Sequence, residues 1–163
     1  MRFNEESEAA RRRMLNPWLF RIHLWRTLPL AACAGLSLRR FDDGSCTIAL
    51  PGGWRTQNPF RSTYFAAQAM AAEMSTGLPA MALVAGAPGS VSMVVREIRG
   101  VFTRKIAGES LFTFEDLGGM QAAVERAAAG SEGESYLARS TGRTADGAVA
   151  SEFEVGWSFK RRG

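Results

Sequence analysis

The stretch Asn58 to Gly77, N-P-F-R-S-T-Y-F-A-A-Q-A-M-A-A-E-M-S-T-G, constrains the fold more than any other part of the chain. Between Ser62 and Thr76 its only charge is Glu73, and five alanines in that window let neighbouring backbone pack closely. A helix that is apolar nearly all round is a buried helix. No uncharged apolar run approaches the roughly 20 residues that span a bilayer. The stretch therefore reads as the central helix of an α+β domain, stopped by Gly77-Leu78-Pro79. A carboxylate on such a helix is costly to desolvate unless it is paired, and desolvation raises its pKa toward the range useful to a general base. Glu73 is thus a candidate functional residue.

The rest of the chain supplies a covering for that helix. Glu5, Glu6 and Glu8 followed by Arg11, Arg12 and Arg13 place acids early and bases late, as a solvated helix or frayed terminus does. Asn16-Pro17 offers an N-cap with proline at N1, opening a helix expected to run to Ala34 with a kink at Pro29 and a stop at Gly35. In it Trp18, Ile22, Trp25 and Leu28 recur at helical spacing. We read that stripe as core, with a ligand tunnel or a membrane-surface contact as the other ways to use it. Strands are expected over Leu36 to Phe41, Cys46 to Leu50, Val91 to Thr103, Ser110 to Glu115, Tyr136 to Arg143 and Ala148 to Phe159. Asp42-Asp43-Gly44 and Asp146-Gly147 supply hairpin turns. Leu117 to Ala129, with Gly130 as its stop, reads as a further helix, and Lys160-Arg161-Arg162 as a solvated tail.

At 163 residues the chain suits one domain, 1–163, with 1–34 as a helical extension. A formal charge of +4 is far from a nucleic-acid signature, so no nucleic acid is expected as partner, and with no run long enough to span a bilayer no membrane is expected either. Cys33 and Cys46 are isolated thiols, expected reduced and structural, in a cytoplasmic protein. There is no P-loop, no dinucleotide fingerprint, no G-x-S-x-G elbow and no metal-spaced cluster, so no cofactor or metal is expected. His23 is the only histidine, which leaves carboxylate chemistry as the catalytic route.

The order helix, hairpin, long apolar helix and antiparallel strands resembles the hotdog fold, a curved antiparallel sheet wrapped around a central helix. Asn58 and Glu73 stand fifteen residues apart, as the Asn and the catalytic carboxylate do in phenylacetate-pathway-type hotdog thioesterases. The form N-P-F-R-S-T-Y-F-A-A-Q-A-M-A-A-E, the N-terminal extension and the W-S-F-K-R-R ending are most similar to the DUF4442 branch. The resemblance implies hydrolysis of an acyl thioester. Glu73 is then base or nucleophile, Asn58 the loop asparagine and Thr76 a hydroxyl one turn on. Backbone N–H groups at Tyr64 or Phe65 hold the oxyanion. Arg61 stands where the family has its first glycine, Tyr64 where it has histidine, and Phe65 and Ala66 where it has paired glycines. The resemblance further implies a homodimer, or a tetramer of paired dimers, and a coenzyme A or acyl carrier protein thioester as substrate, with coenzyme A entering only as part of it. Arg96, Arg99, Arg104 and Lys105 could hold its phosphates or form an exposed charged strand and turn. The competing function is a non-catalytic hotdog protein that binds acyl or other hydrophobic ligands. A purely structural Glu73 would be satisfied by an arginine or a backbone N–H and sealed from every cavity.

Overall fold

The computed structural model describes residues 4–162. Its elements run α1 (Glu5–Leu15), α2 (Pro17–Thr27), α3 (Pro29–Ala34), β1 (Ser37–Phe41), β2 (Cys46–Leu50), α4 (Phe65–Ala85), β3 (Val91–Phe102), β4 (Ser110–Phe114), α5 (Leu117–Ala129), β5 (Glu134–Thr144) and β6 (Val149–Arg161). The six strands form one antiparallel sheet in the order β1-β2-β4-β5-β6-β3. The sheet curves around α4, which touches β2, β4, β5, β6 and β3. Inward side chains such as Ile48, Phe112, Phe114, Val155 and Phe159 are fully buried against α4 and α5. No helix among the described residues is long and apolar enough to cross a membrane.

Local chemistry accounts for most boundaries. Asn16 accepts from the Trp18 and Leu19 N–H groups as the α2 N-cap, and Gly35 closes α3 in the left-handed region at φ 81°. The β1–β2 turn is held by Asp42, whose Oδ1 accepts from the Gly44 and Ser45 N–H groups. The Arg40 guanidinium beside it, with those two amides, holds the Asp42 carboxyl below its ordinary range.

Four expectations need correction. The central helix does not end at Gly77-Leu78-Pro79; α4 continues through them to Ala85. A proline inside a helix costs about 3 kcal/mol, but burying a leucine gains roughly 1.5–3 kcal/mol, and Leu78 and Leu83 are both buried in this continuation. Nor does one helix span Pro17 to Ala34. Leu28, which precedes Pro29, leaves helical geometry at φ −136° and ψ 60°, separating α2 from α3.

The aromatic stripe of α2 is not core. Trp18 is 78 % exposed, Ile22 54 % and Trp25 55 %, with Leu28 also exposed, while Phe20 and Leu24 on the other face are the buried residues. Lastly, Lys160 and Arg161 are not a tail; they extend β6 and pair with Ser92 and Val91 of β3. Of the two thiols, Cys46 is buried and Cys33 exposed, so a structural role suits only the first. Part of the charged N-terminal stretch, residues 2 and 3, lies outside the described residues.

Candidate active site

The chain reaches α4 through a turn that Asn58 organises. Its Oδ1 accepts from the Phe60 and Ser62 N–H groups and from the Ser62 hydroxyl, and its own N–H donates to the Ser62 carbonyl. Inside that turn Arg61 adopts φ 57°, the left-handed conformation that glycine takes without strain. The position where the hotdog thioesterase motif has glycine thus keeps a glycine-like backbone under an arginine side chain. Thr63 then donates to the Ile106 carbonyl, and Tyr64 donates to the Thr56 carbonyl, which anchors the start of α4 and corrects the expectation for Tyr64: its N–H is taken, so of the two expected oxyanion donors only Phe65 remains.

No side chain caps α4. The Tyr64 carbonyl accepts from the Ala67 and Gln68 N–H groups, which leaves the Phe65 and Ala66 N–H groups without a partner among the described residues. A helix N-terminus of this kind attracts anions and developing negative charge. Two open cavities meet here and share Tyr64. One, of about 530 Å³, is lined by Asn58, Phe60, Phe65, Gln68, Arg104 and Lys105 among others. The other, of about 630 Å³, is mainly apolar and involves Trp25, Leu30, Trp54, Ala66 and Met70.

Of the four basic residues singled out in the sequence, the structure brings Arg104 and Lys105 to this entrance and leaves the other two elsewhere. Lys105 Nζ donates to the Phe60 carbonyl at 2.7 Å. Arg99 lies along β3 beside Glu154, at 3.8 Å, and Arg96 occupies an irregularity in the β3–β6 register. Gln68 went unremarked in the sequence. It is buried, donates to the Thr63 carbonyl, and leaves its Oε1 without a partner while lining the basic cavity. Its signal was a lone amide between Phe65 and Met74 on an otherwise alanine-rich helix.

Glu73 lies on the face of α4 that carries Ala66, Met70 and Gly77, eight residues beyond Phe65, or about 12 Å along the axis. Burial pushes its carboxyl above the ordinary glutamate range. It has no hydrogen bond or ion pair among the described residues, so neither an arginine nor a backbone N–H satisfies it. Gly77 makes room for it: a Cβ there would stand 3.0 Å from Glu73 Oε1 and 3.4 Å from the Trp157 ring. Neither entrance cavity is lined by Glu73 in the single chain, Met70 being the last α4 residue on the apolar one.

Thr76 is fully buried. Its hydroxyl donates to the Glu73 carbonyl at 2.9 Å and accepts from Trp157 Nε1 at 3.0 Å. It ties the Glu73 turn to β6 and does not itself open onto either cavity. Trp157 joins the candidate site through this bond; in the sequence it stood out only as the first residue of the W-S-F-K-R-R ending.

No protein-family model matches the sequence, and no curated protein matches it either. Solved structures do. A probable thioesterase of unknown function from Pseudomonas aeruginosa superposes with a TM-score of 0.69 at 18% identity, over 90% of this chain and 97% of that one. A thioesterase from Haemophilus influenzae gives 0.64 at 13% identity, over 86% and 88%. A protein of unknown function from Chlorobaculum tepidum gives 0.73 at 10% identity, over 96% and 97%. At these identities the likeness is one of architecture, and with the sheet order and the enclosed α4 it makes this chain a hotdog fold.

Proposed function

We propose that the protein hydrolyses acyl thioesters, with Glu73 as general base on water or as nucleophile. The observation that carries this reading is an unpartnered, partly buried carboxylate on the central helix, its pKa raised by desolvation, fifteen residues after the asparagine that builds the helix entrance. An unpaired acid in such a place is a net cost to folding, which a purely structural residue would not incur. Two solved forms of a Staphylococcus aureus neighbour add support. One carries alanine for a glutamine, the other alanine for a glutamate fifteen positions later, the separation of Asn58 and Glu73 here.

In this reading the thioester carbonyl lies at the free Phe65 and Ala66 N–H groups of one subunit, which with the helix dipole stabilise the oxyanion, and since the same chain's Glu73 lies about 12 Å further along α4, the carboxylate that acts there comes from the second subunit. The acyl chain takes the apolar cavity, and Arg104 and Lys105 face the phosphates of coenzyme A or of an acyl carrier's prosthetic arm. Arg96 and Arg99 have no place at this entrance. Tyr64, between the two cavities, donates a hydrogen bond where relatives of the motif have histidine. The N-terminal helices fit the DUF4442-like branch.

The functional unit is a homodimer. The outer edge of the sheet is β3, twelve residues long, with Val94, Val95, Ile98, Val101 and Phe102 exposed. An edge of that length and hydrophobicity is a template for another strand. Its inner neighbour β6 carries Trp157 beside Gly77 and Glu73, so a second chain on β3 closes over the Glu73 side of α4.

Purified protein assayed on a panel of acyl-CoA thioesters is expected to hydrolyse at least one. Glu73→Ala should fold and lose about 100-fold or more of that activity. Turnover by Glu73→Ala at the wild-type rate rejects the role given to Glu73. Tight acyl retention with no turnover of any thioester would favour the non-catalytic binder.

A further inference from the structure

From Ala9 to Phe41 the chain carries seven arginines and not one aspartate or glutamate; Arg11, Arg12, Arg39 and Arg40 pair with acids outside that segment. In the middle of this segment α2 buries Phe20 and Leu24 and turns Trp18, Ile22 and Trp25 the opposite way, at i, i+4 and i+7. By helical periodicity Arg21 and Arg26 stand on either side of that ridge, and neither has an acidic partner among the described residues. Leu30 of α3 and Trp54 of the loop between β2 and α4, both strongly exposed, lie with Trp25 around the apolar cavity at the α4 entrance.

We infer that this face docks on an anionic lipid surface. Tryptophan rings are suited to the headgroup level of a bilayer, apolar on one side and able to donate on the other. Flanking arginines reach phosphates while their stems stay against the apolar ridge. At eleven residues α2 is about 16 Å long, roughly half the hydrocarbon thickness, so it lies in the interface and does not cross it. A second copy of the chain is the poorer occupant. A two-fold contact would bring the unpaired arginines of both copies into one desolvated patch, with no acid on α2 to neutralise them. This takes up the membrane-surface use of the stripe and sets aside the expectation of no membrane partner, which considered only a spanning segment. Because Trp25 belongs to both the ridge and the apolar cavity, docking sets the mouth of that cavity at the headgroup level.

The test is cosedimentation of the full-length protein with vesicles of phosphatidylcholine alone and of phosphatidylcholine with phosphatidylglycerol. The protein is expected to bind the second kind, less so as salt rises, with a blue shift of tryptophan fluorescence. Trp18→Ala/Trp25→Ala should lower vesicle binding by about tenfold or more while melting like the wild type, since both rings are exposed. Arg21→Glu/Arg26→Glu should remove the preference for phosphatidylglycerol. Equal binding by the tryptophan variant overturns the proposal. So does absence of binding to either vesicle, an oligomer that the tryptophan variant dissociates, or retention by an acidic acyl carrier protein in place of vesicles.

Discussion

Replacing Thr76 with valine tests the connection between the Glu73 turn and the sheet. Valine keeps the shape and β-branching of threonine, so the fully buried site gains no cavity and the helix loses little propensity. What is removed is the hydroxyl that accepts from Trp157 Nε1 at 3.0 Å. Trp157 is 3 % exposed, so its N–H is left buried and unpaired, at a cost of about 1–3 kcal/mol. The Glu73 carbonyl keeps its own helical bond, and the loss there is minor. A net destabilisation of about 2 kcal/mol follows, which for a domain of this size lowers Tm by roughly 4–8 °C. Thermal denaturation followed by circular dichroism measures it, with Thr76→Ser as the control. Serine keeps the hydroxyl and loses one methyl, for about 1 kcal/mol, so stability should fall in the order wild type, serine, valine. If valine costs less than about 0.5 kcal/mol, the Trp157–Thr76 bond does not hold this turn.

Two other perturbations bear on the same helix. The Glu73 carboxyl is held above its ordinary pKa by burial, so the folded protein binds that proton more tightly than the unfolded chain does. Its contribution to stability is therefore fullest below the unfolded carboxylate pKa, near pH 4, and is lost as pH rises through the folded value, at about 1.4 kcal/mol for each pH unit that separates the two. Glu73→Gln should be more stable than wild type at pH 7, the two denaturant curves converging at low pH; a variant less stable at pH 7 would reveal a partner for the carboxylate. Arg61→Gly relieves a left-handed residue worth roughly 1–2 kcal/mol but loosens the unfolded chain by roughly 0.5–1 kcal/mol. A stabilisation of up to about 1.5 kcal/mol is expected in equilibrium unfolding, and a loss would mean that the arginine side chain holds the turn.

Where local chemistry decides a boundary, the sequence was enough. Leu117–Ala129 ends where its glycine predicts, and the Asp42 and Asp146-Gly147 turns join the strands expected of them. Where distant residues decide, it was not. Gly77 and Pro79 are helix breakers by propensity, yet the buried leucines around them outweigh that preference. In α2 two apolar faces satisfy helical periodicity, Trp18-Ile22-Trp25 and Phe20-Leu24, and the pattern alone does not say which one the sheet covers. The candidate site divides in the same way. The spacing of Asn58 and Glu73 is a local signal, whereas the Trp157 bond to Thr76 joins residues 81 positions apart. The entrance residues Arg104 and Lys105 separated from Arg96 and Arg99 only because β3 ends at Phe102 and the following loop turns toward Phe60.

Four features that each cost stability lie between residues 61 and 73: the left-handed Arg61, the uncapped Phe65 and Ala66 amides, the unpartnered Gln68 Oε1, and the unpaired Glu73. Asn4, Asn16 and Asp116 accept at the N-termini of α1, α2 and α5, while the six-residue α3 starts at Pro29 with no side-chain cap. A chain that caps those three helices from side chains and leaves its central one bare is not short of capping residues. Ser62 and Thr63 stand next to the start of α4, yet their hydroxyl and backbone groups are turned to the Asn58 turn and to Ile106. Among the described residues, buried hydroxyls without a partner also occur at Ser110 and Ser151, but four such unfavourable choices within thirteen residues are what a binding or catalytic requirement produces. Their common address is the entrance and exposed face of α4, where amides without acceptors and an acid without a donor await groups that the chain itself does not supply.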